Sequence, residues 1–239
     1  MKFLVFQHVP HEHVGFIADF AQTHKIRLDI IELWKQYQIP SIIDYDALII
    51  MGGPMGVYNG STEYPSKNDE INTILEGLGK VPMFGFCLGH QLLANVLGAN
   101  VHPNIISNKK VKEIGYYTIE LTAEGKKSPF FKGFSSQMEV FLWHGDVCEL
   151  PENAKLLATS PLCHNQAFSY NNIFGLQFHF EITTKMVKKL CEVDKKWLHE
   201  DIDIDEINLL KQAKEKEMLM KKQSDKLLEN FVEFIMTNK

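Results

Sequence analysis

Cys87 lies in a segment whose composition suits a nucleophile. Residues 81–91 read Val-Pro-Met-Phe-Gly-Phe-Cys-Leu-Gly-His-Gln, so an apolar strand pattern ends at the cysteine and a helical pattern begins immediately after it. Gly85 and Gly89 stand on either side, and small neighbours permit the tight strand-to-helix turn that projects a nucleophile from the end of a sheet. The free N–H groups of a helix N-terminus favour a thiolate and an acyl-transfer oxyanion. A buried apolar cysteine at an ordinary turn is the alternative interpretation.

His179 and Glu181 form a second set of residues with catalytic potential. They stand two apart in Gly-Leu-Gln-Phe-His-Phe-Glu, residues 175–181. On a strand, residues two apart face the same side of the sheet, so we predict that both side chains project together. A cysteine that attacks an amide needs a general base that later serves as the acid, and a third group that orients this base. A histidine satisfied by local packing is the alternative for so short a pattern.

A glycine-rich turn follows another apolar run. Residues 49–56 read Ile-Ile-Met-Gly-Gly-Pro-Met-Gly. Glycines permit positive φ and leave backbone N–H groups open to an anion. A phosphate loop does not fit, because neither G-x-x-x-x-G-K-S/T nor G-x-G-x-x-G matches this turn. The remaining interpretations are a plain turn and a second donor for an oxyanion hole.

The other histidines and cysteines favour structural roles. His8, His11 and His13 are joined by one carboxylate, Glu12, so we predict a loop and not a metal site. The remaining cysteines lack the flanking glycines and form no C-x-x-C pair, which argues against zinc and against a disulfide framework. They are Cys148, Cys163 and Cys191. We therefore expect no metal and no other cofactor.

Composition and charge limit the class of protein. The chain has 239 residues, of which 45% are hydrophobic and 23% charged, as in an ordinary globular domain. Its net charge of −5 is the opposite of the basic excess expected of a nucleic-acid binder. The apolar runs are far shorter than the roughly 20 residues that span a bilayer, and the N-terminal run is too short for a secretory signal. We expect a cytoplasmic protein with neither a nucleic-acid nor a membrane partner.

The elements that must position these residues alternate along the first hundred residues. Apolar strand patterns cover residues 2–6, 27–33, 46–51 and 81–86, and helical patterns lie between and after them at 14–23, 65–78 and 88–97. This alternation is typical of a parallel sheet that is covered by helices on both faces. Short strand patterns separated by turn residues follow from 115 to 178, and predict an antiparallel or mixed part. Helical spacing then covers 183–200 and 205–236.

In combination, these motifs resemble the class I, or triad, glutamine amidotransferases. The likeness runs from Lys2 to about Glu181, and it is closest to stand-alone relatives of the amidotransferase domain of GMP synthase. Trp-His-Gly-Asp at 143–146 is similar to the segment of that family beside the substrate glutamine. The resemblance implies an α/β, flavodoxin-like fold: an open, mostly parallel sheet with helices on both faces, small antiparallel strands and a helical C-terminal extension. We expect an amidotransferase domain over residues 1–182, with the extension, 183–239, packed on it.

The resemblance also implies a role for individual residues. Cys87 is the expected nucleophile, His179 the base and Glu181 the group that orients it. The backbone N–H groups of Gly53 and Leu88 are expected to form the oxyanion hole. The substrate glutamine is expected to contact three further residues, Gln91, Gly145 and Asp146. Attack would give a γ-glutamyl thioester and release ammonia, and water would then release glutamate.

One position departs from the family pattern. The family usually has His-Pro-Glu, whereas Phe180 stands between His179 and Glu181 here. Proline fixes φ and removes an N–H donor, so phenylalanine loosens the local constraint. The alternation of the histidine and the glutamate is retained. We therefore expect the chemistry to persist, and a proline at position 180 to be tolerated.

Three functions remain open at this point. The first is a glutamine amidotransferase or amidohydrolase, with an ammonia-accepting synthase as a partner where the ammonia is used. No S-G-G-x-D-S loop for ATP occurs in the sequence, so GMP synthesis by this chain alone is not expected. The second is a γ-glutamyl peptidase, which uses the same thioester on a larger γ-glutamyl amide. The third is a non-catalytic or partner-dependent protein that keeps the amidotransferase fold.

Overall fold

The structure is a computed structural model that describes residues 1–200 and 202–238. The strands are β1 (Lys2–Gln7), β2 (Arg27–Glu32), β3 (Ala47–Ile50), β4 (Met83–Phe86), β5 (Val101–Pro103), β6 (Ile105–Ile106), β7 (Lys109–Lys110), β8 (Glu113–Leu121), β9 (Gln137–His144), β10 (Asp146–Cys148), β11 (Lys155–Thr159), β12 (Ala167–Tyr170) and β13 (Ile173–Leu176). The helices are α1 (Phe16–Thr23), α2 (Lys67–Gly77), α3 (Leu88–Val96), α4 (Ala123–Lys127), α5 (Thr184–Val193), α6 (Lys195–Leu198) and α7 (Glu206–Thr237). Two single 3-10 turns cover Ile42–Asp44 and Pro129–Phe131.

One open sheet forms the centre of the described chain. Its strand order is β2-β1-β3-β4-β13-β12-β11-β8-β9. The pairs from β2 to β13 are parallel, and the pairs from β13 to β9 are antiparallel. The predicted α/β class is confirmed, and the antiparallel strands extend the same sheet. Because β1, β3, β4 and β13 are parallel, their carboxyl ends meet at one edge, where ligands bind in open α/β sheets.

Helices cover the sheet on both faces, and each face has its own apolar core. Along β1, Phe3 and Val5 join the core with α1, α5 and α7, whereas Leu4 and Phe6 join the core with α2 and α3. This division follows from the alternation of side chains along a strand. Strands β3 and β4 are apolar at every position because both of their faces are buried.

The C-terminal helix α7 contributes to the larger core. Phe231 makes edge-to-face contacts with Phe3 and Phe84, at ring-centroid distances of 6.2 and 4.8 Å, and also packs on Phe130. Aromatic pairs of this geometry add about 0.5–1.5 kcal/mol each beyond the area they bury. The helix is therefore packed tightly on the sheet, whereas a domain boundary at residue 182 stays a prediction.

Two predicted elements end earlier than the sequence pattern indicates. The helix predicted over 183–200 is divided into α5 and α6 at Asp194. The last of the strand patterns that run to residue 178 ends at Leu176 in the structure, so His179 and Glu181 lie beyond β13. Nowhere in the described part of the chain does a helix combine the length and apolarity needed to cross a bilayer.

Candidate active site

Cys87 occupies a strained turn between β4 and α3. Its φ of 48° and ψ of −102° place a non-glycine residue in the left-handed half of the map, which costs free energy that the surrounding structure must offset. Its backbone N–H donates to the carbonyl of Leu176, over 2.8 Å. A Cβ on Gly85 would collide with the backbone of Gly89, and a Cβ on Gly89 would collide with the carbonyl of Ile50. Both glycines are therefore required for the helix to start so close to the sheet.

His179 lies beside the Cys87 thiol and bonds to it. Burial raises the pKa of the thiol, and the hydrogen bond from His179 opposes this shift. Burial alone would lower the pKa of His179, but the Glu181 carboxylate and the Cys87 sulfur together raise it well above 6.5. The histidine is therefore a strong proton acceptor that sits directly against the sulfur.

His179 and Glu181 are paired, although not in the way predicted. The two residues lie in an irregular segment after β13, where His179 forms an isolated antiparallel bridge with Phe141. The two side chains therefore meet outside a regular strand, so strand alternation is not what brings them together. Nδ1 of His179 is nevertheless 2.6 Å from Oε1 of Glu181, and both side chains are buried. Two backbone bonds hold the segment, from the His179 N–H to the carbonyl of Phe141 and from the Phe16 N–H to the carbonyl of Glu181.

Phe180, between them, does not face the site. It is fully buried in the larger core, where it stacks on Phe134 with an interplanar angle of 12° and contacts Phe178. From this burial we expect that proline at position 180 would lower stability, because it would remove the aromatic packing. The side chain at this position anchors the segment in the larger core, between His179 and Glu181 in the sequence.

The predicted oxyanion-hole residues lie against Cys87. The Leu88 N–H bonds to the Cys87 sulfur. Gly53 and Cys87 line one cavity, and a Cβ on Gly53 would approach the Leu88 side chain to 2.8 Å. The structure therefore brings residues 53, 87 and 88 together.

A cavity of about 330 Å³ opens in front of Cys87. Gln91, Gly145 and Asp146, which the family resemblance implies would hold the substrate, all line it. Gln91 donates to the backbone carbonyl of Asp146 over 3.1 Å, and the Tyr58 hydroxyl donates to the Asp146 carboxylate over 2.9 Å. The other lining residues are Glu12, Gly53, Pro54, Met55, Gly56, Asn59, Trp143, His144, Asp194 and Trp197.

Several cavity residues carry no signal in the sequence motifs. The pattern around Glu12 indicates only a metal site with its neighbouring histidines, which we do not favour. Asp194 accepts from the Trp143 indole N–H over 3.2 Å, and the Trp197 ring lies 5.8 Å from that of Trp143. Glu12 comes from the β1–α1 loop, and Asp194 and Trp197 come from the end of α5 and from α6, which no local motif marks. The acidic residue at position 12, inside His-Glu-His, is the one available signal.

A buried polar network lies behind the glycine loop. Nδ1 of His8 is 2.9 Å from the carbonyl of Gly52, and its Nε2 is 2.9 Å from Oε2 of Glu70. Ser66 and Tyr64 donate to the same carboxylate. Burial lowers the pKa of His8, but Glu70 outweighs it, so the pKa is raised above 6.5. This network holds the loop that carries Gly53.

The tight strand-to-helix turn at Cys87 is a nucleophile elbow. The remaining cysteines are buried free thiols that do not lie at such an elbow. Cys148 lies 3.0 Å from Nε2 of His90. Burial raises the pKa of Cys148 to about 12 and lowers that of His90 to about 3, so both groups are neutral. Burial also raises the pKa of Cys191 to about 11 and that of Cys163 further. Within residues 1–200 and 202–238, no three His, Cys, Asp or Glu side chains are grouped so that they could hold a metal ion.

The fold and this arrangement define a class of protein, and comparison with known proteins agrees. Residues 20–192 match the model of the family described as glutamine amidotransferase class-I. This match covers more than half of the sequence. The chain therefore belongs to the class I glutamine amidotransferase family.

Individual relatives support the same assignment. The glutamine amidotransferase-like protein YfeJ of Salmonella typhimurium is 33% identical over 190 residues, which are 77% of this chain and 77% of YfeJ. One subunit of the glutamine-hydrolyzing GMP synthase of Saccharolobus solfataricus is 37% identical over 157 residues, which are 64% of this chain and 76% of that protein. The crystal structure of a glutamine amidotransferase from Thermotoga maritima superposes with a TM-score of 0.86 at 34% identity, and covers 98% of both chains.

Proposed function

We propose that this protein hydrolyses the γ-amide of glutamine through a thioester on Cys87, and so yields glutamate and ammonia. The observation that carries the proposal is the continuous contact from the Glu181 carboxylate through His179 to Cys87, at an elbow that faces a cavity. An activated cysteine nucleophile is recognised by such a base and by the third group that orients it.

Each proton transfer has a group in position. Because Nδ1 of His179 is bound to Glu181, Nε2 is the nitrogen that takes the proton of the Cys87 thiol. The sulfur attacks the γ-carbonyl, and the Gly53 and Leu88 N–H groups hold the oxyanion. His179 then gives the proton to the amide nitrogen, the C–N bond breaks and ammonia leaves. Water attacks the thioester, His179 takes its proton, and the C–S bond breaks to release glutamate and restore the thiol.

The residues that would hold the substrate glutamine line the same cavity as Cys87. Gln91, Gly145 and Asp146 contact the α-amino and α-carboxyl ends of glutamine in this proposal. Gln91 is held by two acceptors, the Asp146 carbonyl and Oε1 of Gln177, each at 3.1 Å. A side chain held on both sides is preorganised, which lowers the entropy lost on binding.

A γ-glutamyl peptidase with the same three residues is the second candidate. The cavity extends past Cys87 to the aromatic side chains of Tyr58, Trp143 and Trp197. Glutamine, whose leaving group is ammonia, does not need such an apolar wall, whereas a larger γ-glutamyl amide would pack on it. A partner protein that takes up the ammonia is also consistent with the family, since one relative is itself named as part of a multi-subunit synthase.

Glutamate release tests the proposal. The full chain is incubated with glutamine and with γ-glutamyl dipeptides, and the Cys87→Ala variant is the blank. Release from glutamine above the blank supports the amidohydrolase, and faster release from the dipeptides supports the peptidase. A folded protein that does not exceed the blank on any γ-glutamyl compound would favour a partner-dependent or non-catalytic role.

The same preparation reports which thiol reacts. A diazo-ketone analogue of glutamine should label Cys87, because it alone combines the elbow with contact to His179. Labelling is located by peptide mass spectrometry. Modification mainly at Cys148, Cys163 or Cys191 would contradict the assignment of the nucleophile.

A further inference from the structure

Glu12 is an acidic residue of the cavity that the Cys87, His179 and Glu181 roles do not use. It lies in the loop between β1 and α1, and its side chain lines the cavity together with Cys87. A Cβ built on Gly52 would collide with Oε2 of Glu12 and would lie 3.2 Å from Cε1 of His179. The carboxylate and the edge of the imidazole therefore approach each other across a position that has no side chain.

The edge of His179 that faces Glu12 is the one where the chemistry takes place. Nδ1 is occupied by Glu181, which leaves Nε2 for the hydrogen bond between His179 and the Cys87 thiol. Cε1 lies between these two nitrogens in the ring. In the proposed mechanism, Nε2 gives its proton to the nitrogen of the leaving amine. A group near Cε1 on the cavity side is therefore close to that nitrogen.

The electrostatic surroundings keep Glu12 able to accept a hydrogen bond near neutral pH. Burial raises its pKa to about 7, His179 and His8 lower it, and the carboxylates of Asp194 and Glu181 raise it. A carboxyl beside the His179 imidazolium is most stable in its ionised form, because the two charges are opposite. With a pKa of about 7, Glu12 is ionised in a substantial share of molecules at neutral pH, and a carboxyl oxygen accepts a hydrogen bond in either protonation state.

We propose that the Glu12 carboxylate accepts a hydrogen bond from an N–H of the leaving amine as His179 protonates that nitrogen. This inference rests on the proposed function and adds a residue to it. No extra proton is moved: the proton passes from Cys87 to His179 and on to the amide nitrogen, the C–N bond breaks, and Glu12 stabilises the positive charge that develops on the nitrogen. The favoured donors are γ-glutamyl amides whose leaving group carries an N–H.

The charge of the cavity agrees with this role. Among its lining residues in the described part of the chain, three are acidic, namely Glu12, Asp146 and Asp194, and none is lysine or arginine. Asp146 is engaged by the Tyr58 hydroxyl and Asp194 by the Trp143 indole. Glu12 is the acid that lies next to His179, so it is the one available to the departing nitrogen.

The test compares an amide with an ester in the Glu12→Gln variant. Glutamine has an amine leaving group, whereas the γ-(4-nitrophenyl) ester of glutamate releases a phenolate, which has no N–H and needs no proton. A hydrogen bond to a charged group is worth about 10- to 100-fold in rate. We therefore expect kcat/KM for glutamine to fall about 10- to 100-fold, while that for the ester falls less than about threefold. Glu12→Asp should restore part of the glutamine rate.

Controls separate this role from a structural one. Glu152→Gln removes an exposed carboxylate away from the cavity and should leave both rates unchanged. Equal falls for amide and ester in Glu12→Gln would show a general effect on the site and overturn the proposal, as would unchanged rates for both. The ester rate also reports that the variant is folded. If the wild-type protein cleaves neither substrate faster than Cys87→Ala, the proposed function itself fails and this inference fails with it.

Discussion

Removing the charge of Glu70 should destabilise the protein through His8. Both ring nitrogens of His8 face oxygen acceptors, at 2.9 Å from Gly52 and 2.9 Å from Glu70. The doubly protonated imidazole donates to both acceptors, and Glu70 favours this charged form because it raises the pKa of His8. Glu70→Gln keeps the shape of the side chain and leaves the imidazolium without its counter-charge.

The magnitude follows from the burial of this pair, whose side chains have 0% exposure. Removing one partner of a buried ion pair costs about 3–5 kcal/mol, and the lower end applies because glutamine retains a hydrogen-bonding amide. In a domain of this size each kcal/mol lowers Tm by about 2–4 °C. We therefore expect Tm to fall by about 6–12 °C.

The pH dependence of the difference in unfolding free energy gives a sharper test, because the direction of the His8 pKa shift fixes its sign. In the wild type the pKa of His8 is raised, so the stabilisation is fully present below pH 6.5 and is lost as the pH rises through the folded value. Glu70→Gln removes the strongest influence that raises the pKa of His8, so we expect burial to outweigh the weaker opposing effects of the Gly52 carbonyl and Glu12 and to lower this pKa. The variant should therefore gain stability as the pH rises through that range. The difference in unfolding free energy should therefore be largest near pH 6 and should shrink towards pH 8.

Urea unfolding of both proteins from pH 5.5 to 8.5, followed by circular dichroism, measures this difference, and thermal unfolding at pH 6, followed in the same way, gives Tm. Glu152→Gln is the matched control, since it makes the same substitution at an exposed position. A fall in Tm below about 2 °C would refute the buried ionic pair, because even the lower-end cost exceeds it. A difference that grows with pH would refute the assigned direction of the His8 pKa.

Three further predictions concern the site and its supports. His179→Asn should lower kcat by about 10²–10⁴ and more than Glu181→Gln does, because the base takes part in both proton transfers; glutamate release measures this, and wild-type activity in the histidine variant would contradict it. Phe180→Pro should destabilise the fold by about 3–5 kcal/mol in urea unfolding, as for the loss of any buried aromatic ring, and a variant as stable as the wild type would show that the ring is dispensable. Gly85→Ala should slow labelling of Cys87 by the glutamine analogue, because the new methyl group collides with the backbone of Gly89; an unchanged labelling rate would mean that the elbow adapts.

The elements that bury apolar residues could be predicted from the sequence. The strands β1, β3 and β4 read as continuous apolar runs because both faces of the sheet are covered. The elbow at Cys87 was also predictable, because close approach of α3 to the sheet requires glycine at positions 85 and 89. Such requirements act between residues close in the chain, so the local sequence records them.

The directions of the side chains that follow the end of β13 could not be predicted from the sequence. Strand alternation predicts that His179 and Glu181 meet, but they meet in an irregular segment held by backbone bonds to Phe141 and Phe16. Comparison with the family motif indicates only that Phe180 replaces a proline and relaxes a backbone constraint. In the folded protein Phe180 is a core residue. Both outcomes depend on neighbours that are distant in sequence.

The α/β alternation, the elbow and the candidate reactive residues can be read from the chain alone, since each depends on local spacing and backbone sterics. Only the tertiary structure shows that Glu12 shares a cavity with Cys87. It also shows that His8 pairs with Glu70, which is 62 residues away in the sequence. The pKa values of these groups follow from burial and from charges that the fold brings near them. Desolvation and Coulomb interactions act through space, so no short sequence pattern encodes them.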